Sequence, residues 1–254
     1  MTEHSQHSTS SLAPHPPLLD YYQTDAQRRK LLDAQFDHVA PDYNWITQAS
    51  SFGSGKRYRR EALKRSGLSE GDTILDVACG PGTVSVCAQQ IVGETGRVVG
   101  LDPSLGMVTE AQKQGISMVL QGKAEYLPFS DSIFDFISMG YALRHVTDLT
   151  LTFKEYLRVL KPGGRLLILE ISRPDSLLPY QVSRFFLKHI VPWVSYLGTK
   201  NPHAHKLMKY YWDTIESCVP PETILQALED SGFHQSQQYT LFGGLLRDYS
   251  GCKP

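Results

Sequence analysis

Thr73-Ile-Leu-Asp-Val-Ala-Cys-Gly-Pro-Gly-Thr83 is a short apolar run that empties into a turn with two glycines, and a helix-length segment follows it to Val92. Gly80 and Gly82 let the backbone turn sharply and come close to a ligand, because no Cβ stands in the way. In an open α/β sheet such a turn lies beyond the carboxyl end of a strand, where ligands bind. A dinucleotide fingerprint would want Gly or Ala three residues after Gly82. Ser85 stands there instead, which disfavours a pyrophosphate. The next apolar run, from Arg97, ends at Asp102, 20 residues after Gly82. Asp102 is thereby placed to accept hydrogen bonds from both ribose hydroxyls of an adenosine cofactor. Asp76, just ahead of the glycines, either orients the loop or meets a cationic amino group.

Downstream the rhythm repeats. A helical segment runs through Gln114, and Ser117–Gln121, Phe134–Met139 and Arg165–Glu170 continue the series of apolar runs. Runs without strict polar alternation are what strands covered on both faces look like, and strands alternating with helices imply a parallel, doubly wound sheet. Lys161-Pro-Gly-Gly164 ends the helix before the fifth run, since Pro lacks a donor and Gly tolerates positive φ. Pro221–Ser231 reads as a helix stopped by Gly232, and Gln238–Phe242 with Leu245 and Leu246 reads as a closing pair of strands. The expected fold class is therefore α/β: a Rossmann-like, mostly parallel doubly wound sheet with a C-terminal antiparallel strand, N-terminal helices and a helical insertion.

The flanks differ in character. Met1 to about Leu19 is polar, is interrupted by Pro14, Pro16 and Pro17, and is expected to be a flexible tail outside the fold. Over residues 20–66, Leu32, Phe36, Val39, Tyr43 and Ile46 recur at mostly helical spacing, which predicts a lid or an N-terminal helical subdomain. Residues 171–221 break the strand–helix rhythm with a segment dense in aromatic and basic groups, including Phe185, Phe186, Trp193, Tyr196, Tyr210, Tyr211 and Trp212. Residues 20–254 are expected to form one domain.

Composition excludes several classes. The 254 residues are 41% hydrophobic and 20% charged, which rules out collagen-like and wholly disordered chains. A net charge of -1 gives no bulk reason to expect nucleic acid or an anionic membrane, so a small-molecule partner fits better. The 4 cysteines are scattered without a C-x-x-C pair, as expected for small buried hydrophobes in a reducing compartment. The amino terminus lacks the apolar run of a secretory signal, so a cytoplasmic protein is expected. No stretch approaches the roughly 20 apolar residues that span a bilayer. His203 and His205 have no acidic or thiolate partner nearby in sequence, so no metal site is expected.

The glycine turn, the acidic strand end at Asp102, Pro128–Asp135 and Leu160–Leu166 together resemble class I S-adenosylmethionine methyltransferases, over roughly Gly71 to Glu170. Val92–Gly96, Ala124–Phe129, Ala142–Asp148 and Arg158–Leu166 narrow the resemblance to the ubiquinone/menaquinone biosynthesis C-methyltransferase family. Phe36–Tyr43, Ser51–Gly53, Gly243-Gly244 and Gly251–Pro254 extend the likeness from about Phe36 to the end of the chain. Members of that family methylate a ring carbon of a polyprenylated hydroquinone. The resemblance implies S-adenosyl-L-methionine as cofactor, with Pro81, Asp102, Lys123, Ala124 and Gly140 at its site, and an arginine matching Arg144 at the acceptor site. Gly80, Gly82, Asp76, Tyr43 and Met107 complete the expected cofactor-binding set. The chain departs from the family pattern at several places: His145 replaces an Asn, Lys123 an Asn, Gly140 a Ser, and Gly55 stands near the place of a histidine.

Methyl transfer from a sulfonium requires position and electrostatics from the protein, and no covalent nucleophile. Arg144 is the candidate for stabilising an acceptor oxyanion, directly or through water, with a structural salt bridge as the alternative. His145 is the candidate general base, with a hydrogen-bonded structural histidine as the alternative. The aromatic insertion is expected to act as an acceptor lid that excludes water, and its basic residues offer weak contact with a membrane surface where a lipid-tailed acceptor resides. Methylation of another aromatic or secondary metabolite at oxygen, nitrogen or carbon stays open. So does a relative that binds the cofactor without methylating.

Overall fold

A computed structural model describes residues 11–51 and 53–254; the first ten residues, and Phe52 in the Ser51–Gly53 segment, lie outside the described residues. The five apolar runs pair in parallel as β1 (Thr73–Val77), β2 (Arg97–Asp102), β3 (Met118–Gln121), β4 (Phe134–Gly140) and β5 (Leu160–Ile171). β6 (His234–Leu241) and β7 (Leu246–Cys252) complete a 7-stranded sheet in the order β3-β2-β1-β4-β5-β7-β6. β7 is antiparallel to both of its neighbours, as the closing pair of strands predicts.

Both faces of the sheet are covered, which is why its strands do not alternate in polarity. Leu75 and Val77 point into one apolar cluster with Phe153 and Tyr156 of α5 (Leu149–Val159) and Ile224 and Leu228 of α9 (Pro221–Asp230). Ile74 points the other way, into a cluster with Ala62 and Leu63 of α2 (Gly55–Arg65) and Val84 and Ala88 of α3 (Thr83–Val92). Lys161–Gly164 does end α5, at Val159, but the strand begins at once. The four residues form a bulge across which the β4 pairing moves from Leu160 to Arg165.

The N-terminal expectation resolves into α1 (Asp25–Ser50) and α2. α1 opens on a capping box between Thr24 and Gln27, which satisfies two of its free amide donors. The expected flexible tail, residues 1–19, lies outside the described residues up to Ser10, and from Ser11 to Leu19 it packs on the fold. The Leu12 carbonyl accepts the Leu149 amide at 2.9 Å, the Pro14 carbonyl accepts the Val219 amide at 2.8 Å, and His15 is buried. Leu149 is the first residue of α5, so its amide has no partner within the helix, and the proline-rich strap supplies one. The insertion is helical, as expected: α6 (Leu177–Phe185), a π-helical turn over Phe186–Ile190, α7 (Val191–Thr199) and α8 (Pro202–Ser217). Among the described residues, no helix is long and apolar enough to cross a membrane.

Candidate functional site

In the strand order β2-β1-β4, connections leave β1 in one direction and arrive at β4 from the other, and the crevice at such a switch point is where open α/β sheets bind ligands. A cavity of about 550 Å³ opens there. Backbone strain collects at its floor. Ala78 after β1 and Tyr141 after β4 are non-glycine residues with φ of 52° and 62°, and both line the cavity.

The glycine turn behaves as its residue types dictate. Gly80 has φ 55°, and a Cβ added to it would meet nothing within 4 Å, so its backbone faces open space. Asp102 closes the floor. One carboxylate oxygen accepts the Gly80 amide at 2.8 Å and the other the Ser104 amide at 2.9 Å, tying the ends of β1 and β2 together. A carboxylate oxygen has capacity for more than one such bond, so both remain able to accept from a ribose. Burial pushes Asp102 up to about 7, against the pull of the two amides. Asp76 is fully buried and accepts the Ser85 hydroxyl at 2.5 Å and the Ser138 hydroxyl at 2.7 Å. Burial moves it up to about 6, with the two serines acting in the opposite direction. Ser85, which breaks the dinucleotide fingerprint, is thus the partner that holds Asp76.

Pro81, Tyr43, Met107, Lys123, Ala124 and Gly140 also line the cavity. Gly82 does not. Its φ of 83° at the start of α3 lies in the left-handed region that favours glycine, and it faces Ala111 of α4 (Leu105–Lys113). At Gly140 a Cβ would lie 2.8 Å from Val84 Cγ2, which explains why this chain has no side chain there.

Arg144 is brought to the site but not into the cavity. It is fully buried on a 3₁₀ turn over Leu143–His145, ion-paired with Glu170, and its guanidinium carbon lies 4.6 Å from the centroid of the Tyr211 ring. Tyr211 does line the cavity. His145 lines it too, with its ring between Phe36 and Tyr210 at centroid distances of 5.5 and 6.0 Å. Burial, then the cations Arg144 and Arg28, hold the His145 imidazole well below its ordinary range, and its buried Nδ1 has no partner among the described residues. Arg28 of α1 anchors this turn by donating to the carbonyls of Arg144 and Val146 at 3.0 and 3.2 Å.

Of the insertion's aromatics singled out from the sequence, Tyr211 alone is on the cavity wall. Trp212 and Tyr210 are core residues, and Trp193 and Phe185 face outward. His203 stacks on His38 and His205 meets Trp193. Arg59, Tyr141 and Asp37 escaped the sequence reading. Asp37 of α1 accepts from Ser104 and Gly106 at 2.5 and 3.0 Å, fixing the loop after Asp102. The Phe36–Tyr43 segment that carries the family likeness contains Asp37, but residue type alone gave it no role.

The cavity, the amide-oriented Asp102 and the open backbone at Gly80 suit an adenosine bearing a charged amino-acid end. The ubiE/COQ5 methyltransferase family matches residues 23–253. The chain belongs to that family. The ubiquinone/menaquinone biosynthesis C-methyltransferase UbiE of Klebsiella pneumoniae subsp. pneumoniae is 33% identical over 241 residues, 91% of this chain and 95% of that one. The protein of the same description from Pseudoalteromonas translucida is 30% identical, again over 91% and 95%. A solved SAM dependent methyltransferase from Aquifex aeolicus shares the fold at TM-score 0.59 and 21% identity, over 83% of this chain and 98% of its own. This methyltransferase family and the fold make S-adenosyl-L-methionine the cofactor, and methyl transfer the activity.

Proposed function

We propose that this enzyme methylates a ring carbon of a quinol-like aromatic acceptor, with Asp102, Asp76, Gly80, Pro81, Tyr43, Met107, Lys123, Ala124 and Gly140 around the cofactor. The observation that carries the reading is the pair Tyr211 and His145, polar groups on the cavity wall beside the apolar cluster of Phe36, Ile46, Leu187, Val191 and Met208. An aromatic ring bearing a hydroxyl group matches that lining. The relatives named for ubiquinone and menaquinone biosynthesis support the same acceptor class.

When bound, S-adenosyl-L-methionine supplies an electrophilic methyl group on a sulfonium. The residues of the chain make the acceptor nucleophilic and keep bulk water away. The acceptor hydroxyl must give up its proton so that electron density reaches the ring carbon. Burial and two cations keep His145 neutral and oppose its protonation, so it orients the acceptor hydroxyl by accepting its hydrogen bond, and the proton leaves that hydroxyl for a water molecule as the methyl group is transferred. Tyr211 donates its hydroxyl to the developing oxyanion. Arg144, stacked behind the Tyr211 ring and held by Glu170, makes that charge cheaper to form. Arg144 therefore acts through Tyr211, as a positioning and electrostatic residue.

The enzyme is cytoplasmic in this reading and takes a lipid-tailed acceptor at a membrane surface. Residues 177–201 carry Arg184, Lys188 and Lys200 and no acidic residue, and expose Leu178 (71%), Phe185 (61%) and Trp193 (57%). The same stretch supplies Leu187 and Val191 to the cavity wall, so an anionic bilayer against it would meet the cavity directly.

A labelled-methyl assay against quinols, phenols and amines, with mass spectrometry of the product, tests the function. A C-methylated quinol is expected, and transfer only to oxygen or nitrogen would refute the acceptor class. Tyr211→Phe, which removes one hydroxyl and spares the Arg144–Glu170 pair, is expected to lower kcat about 100-fold with cofactor affinity unchanged. An unchanged kcat would remove Tyr211 from the mechanism.

A further inference from the structure

Arg59 is a buried cation without a counter-ion. It lies on α2, is 7% exposed, and lines the cavity. Among the described residues no carboxylate reaches its guanidinium within ion-pair distance, and its Nε is buried with no hydrogen-bond partner. What it does have is an aromatic floor: the guanidinium carbon sits 5.0 Å from the centroid of the Tyr141 ring. Tyr141 is itself held at positive φ at the end of β4. Two other arginines of the same helix do have carboxylate partners. Arg65 and Tyr58 both bond to Asp248, and Arg57 pairs with Glu61.

The space for Arg59 is also built. A Cβ at Gly55 would stand 2.4 Å from Arg59 Nη1, so the glycine near the place of the family's histidine leaves room for the guanidinium where it lies. A guanidinium buried without a partner is costly, because desolvation is not repaid until an anion arrives. Arg59 acts electrostatically on Asp76, whose carboxylate lies beside the glycine turn on the same cavity. A cation and an anion sharing one wall of an adenosine pocket are complementary to a zwitterion.

We infer that Arg59 receives the α-carboxylate of the cofactor's amino-acid end, while Asp76 receives its ammonium group. Guanidinium and carboxylate match as two parallel hydrogen bonds, which fixes the direction in which the methionine end lies. Tyr141 holds the guanidinium plane from below. The inference rests on the cofactor site described above, and is separable from it by experiment.

Calorimetry with two probes makes the separation: S-adenosylhomocysteine, and 5′-methylthioadenosine, which keeps the adenosine but lacks the amino-acid end. Arg59→Met is expected to weaken S-adenosylhomocysteine about 10- to 100-fold, the range for a lost charged hydrogen-bond pair, and to leave methylthioadenosine unchanged. Arg59→Lys, with charge but no fork, is expected to fall between. Unchanged S-adenosylhomocysteine affinity in Arg59→Met, or an equal loss for both probes in Arg59→Lys, would overturn the inference. If the methionine variant loses both probes through misfolding, the lysine variant decides. Absence of S-adenosylhomocysteine binding to the unaltered protein would overturn the cofactor site itself.

Discussion

Two carboxylates at the cavity floor titrate far from their ordinary range, in the same direction. Burial is the first cause for both, placing Asp102 at about 7 and Asp76 at about 6. Each is raised above its unfolded value of 3.8, so its stabilising contribution is complete below that value and is lost as pH rises through the folded one. Cofactor binding needs the opposite form. An ionised Asp102 accepts both ribose hydroxyls, whereas the protonated form loses an acceptor. The affinity for S-adenosylhomocysteine, read by calorimetry, is expected to rise from pH 6 to pH 8, with one proton released on binding near the lower end. Asp102→Asn is expected to flatten that profile and to weaken binding at pH 8 by roughly 10- to 100-fold. A profile unchanged in the asparagine variant would show that another group titrates. The position of Asp102 beside the glycine turn was legible in the sequence from its distance to the glycines. Its raised proton affinity was not, because that depends on what covers it.

At the scale of elements, spacing between strand and helix decided which residues the site received. β4 and α3 approach so closely at the cavity that Gly140 has Val84 where a side chain would be. Gly140→Ser, restoring the family's usual residue, is expected to cost about 1–3 kcal/mol in urea unfolding, as overpacking does. Val84→Ala in the same chain is expected to recover most of that loss beyond additivity, and simple additivity of the two changes would sink the explanation. Strand and helix positions were read from the sequence because the central strands β1, β4 and β5 are covered on both faces and leave unbroken apolar runs, whereas the edge strand β3 is exposed. The residues 12–15 strap was not readable. Its contribution is made by the carbonyls of Leu12 and Pro14, and carbonyls leave no mark on residue type. The sequence also singled out Arg144 for the acceptor end. That it lies behind Tyr211, and that of the insertion's named aromatics Tyr211 is the one to reach the cavity, follows from how α8 is rotated against α1.

On the whole molecule, α6, α7 and the π-helical turn between them carry both the exposed apolar face and the cavity-lining Leu187 and Val191, so in the proposed reading acceptor delivery and membrane contact are one event. Co-sedimentation with phosphatidylglycerol-containing vesicles is expected for the unaltered chain and is expected to be lost in Leu178→Glu/Trp193→Glu. Neither residue lines the cavity, so turnover of a short-tailed quinol in solution should be unchanged. Retained vesicle binding would assign the face another role, such as contact with a second copy. The sequence by itself determined the α/β class, the cofactor turn and the family, because periodicity, turn chemistry and motif spacing are local along the chain. Only the tertiary structure decided that Gly82 faces α4 rather than the cavity, that Ser85 holds Asp76, that Arg144 lies behind Tyr211 and that Arg59 faces the cavity unpaired. Those are statements about burial and counter-charges, and both are set by segments far away in sequence.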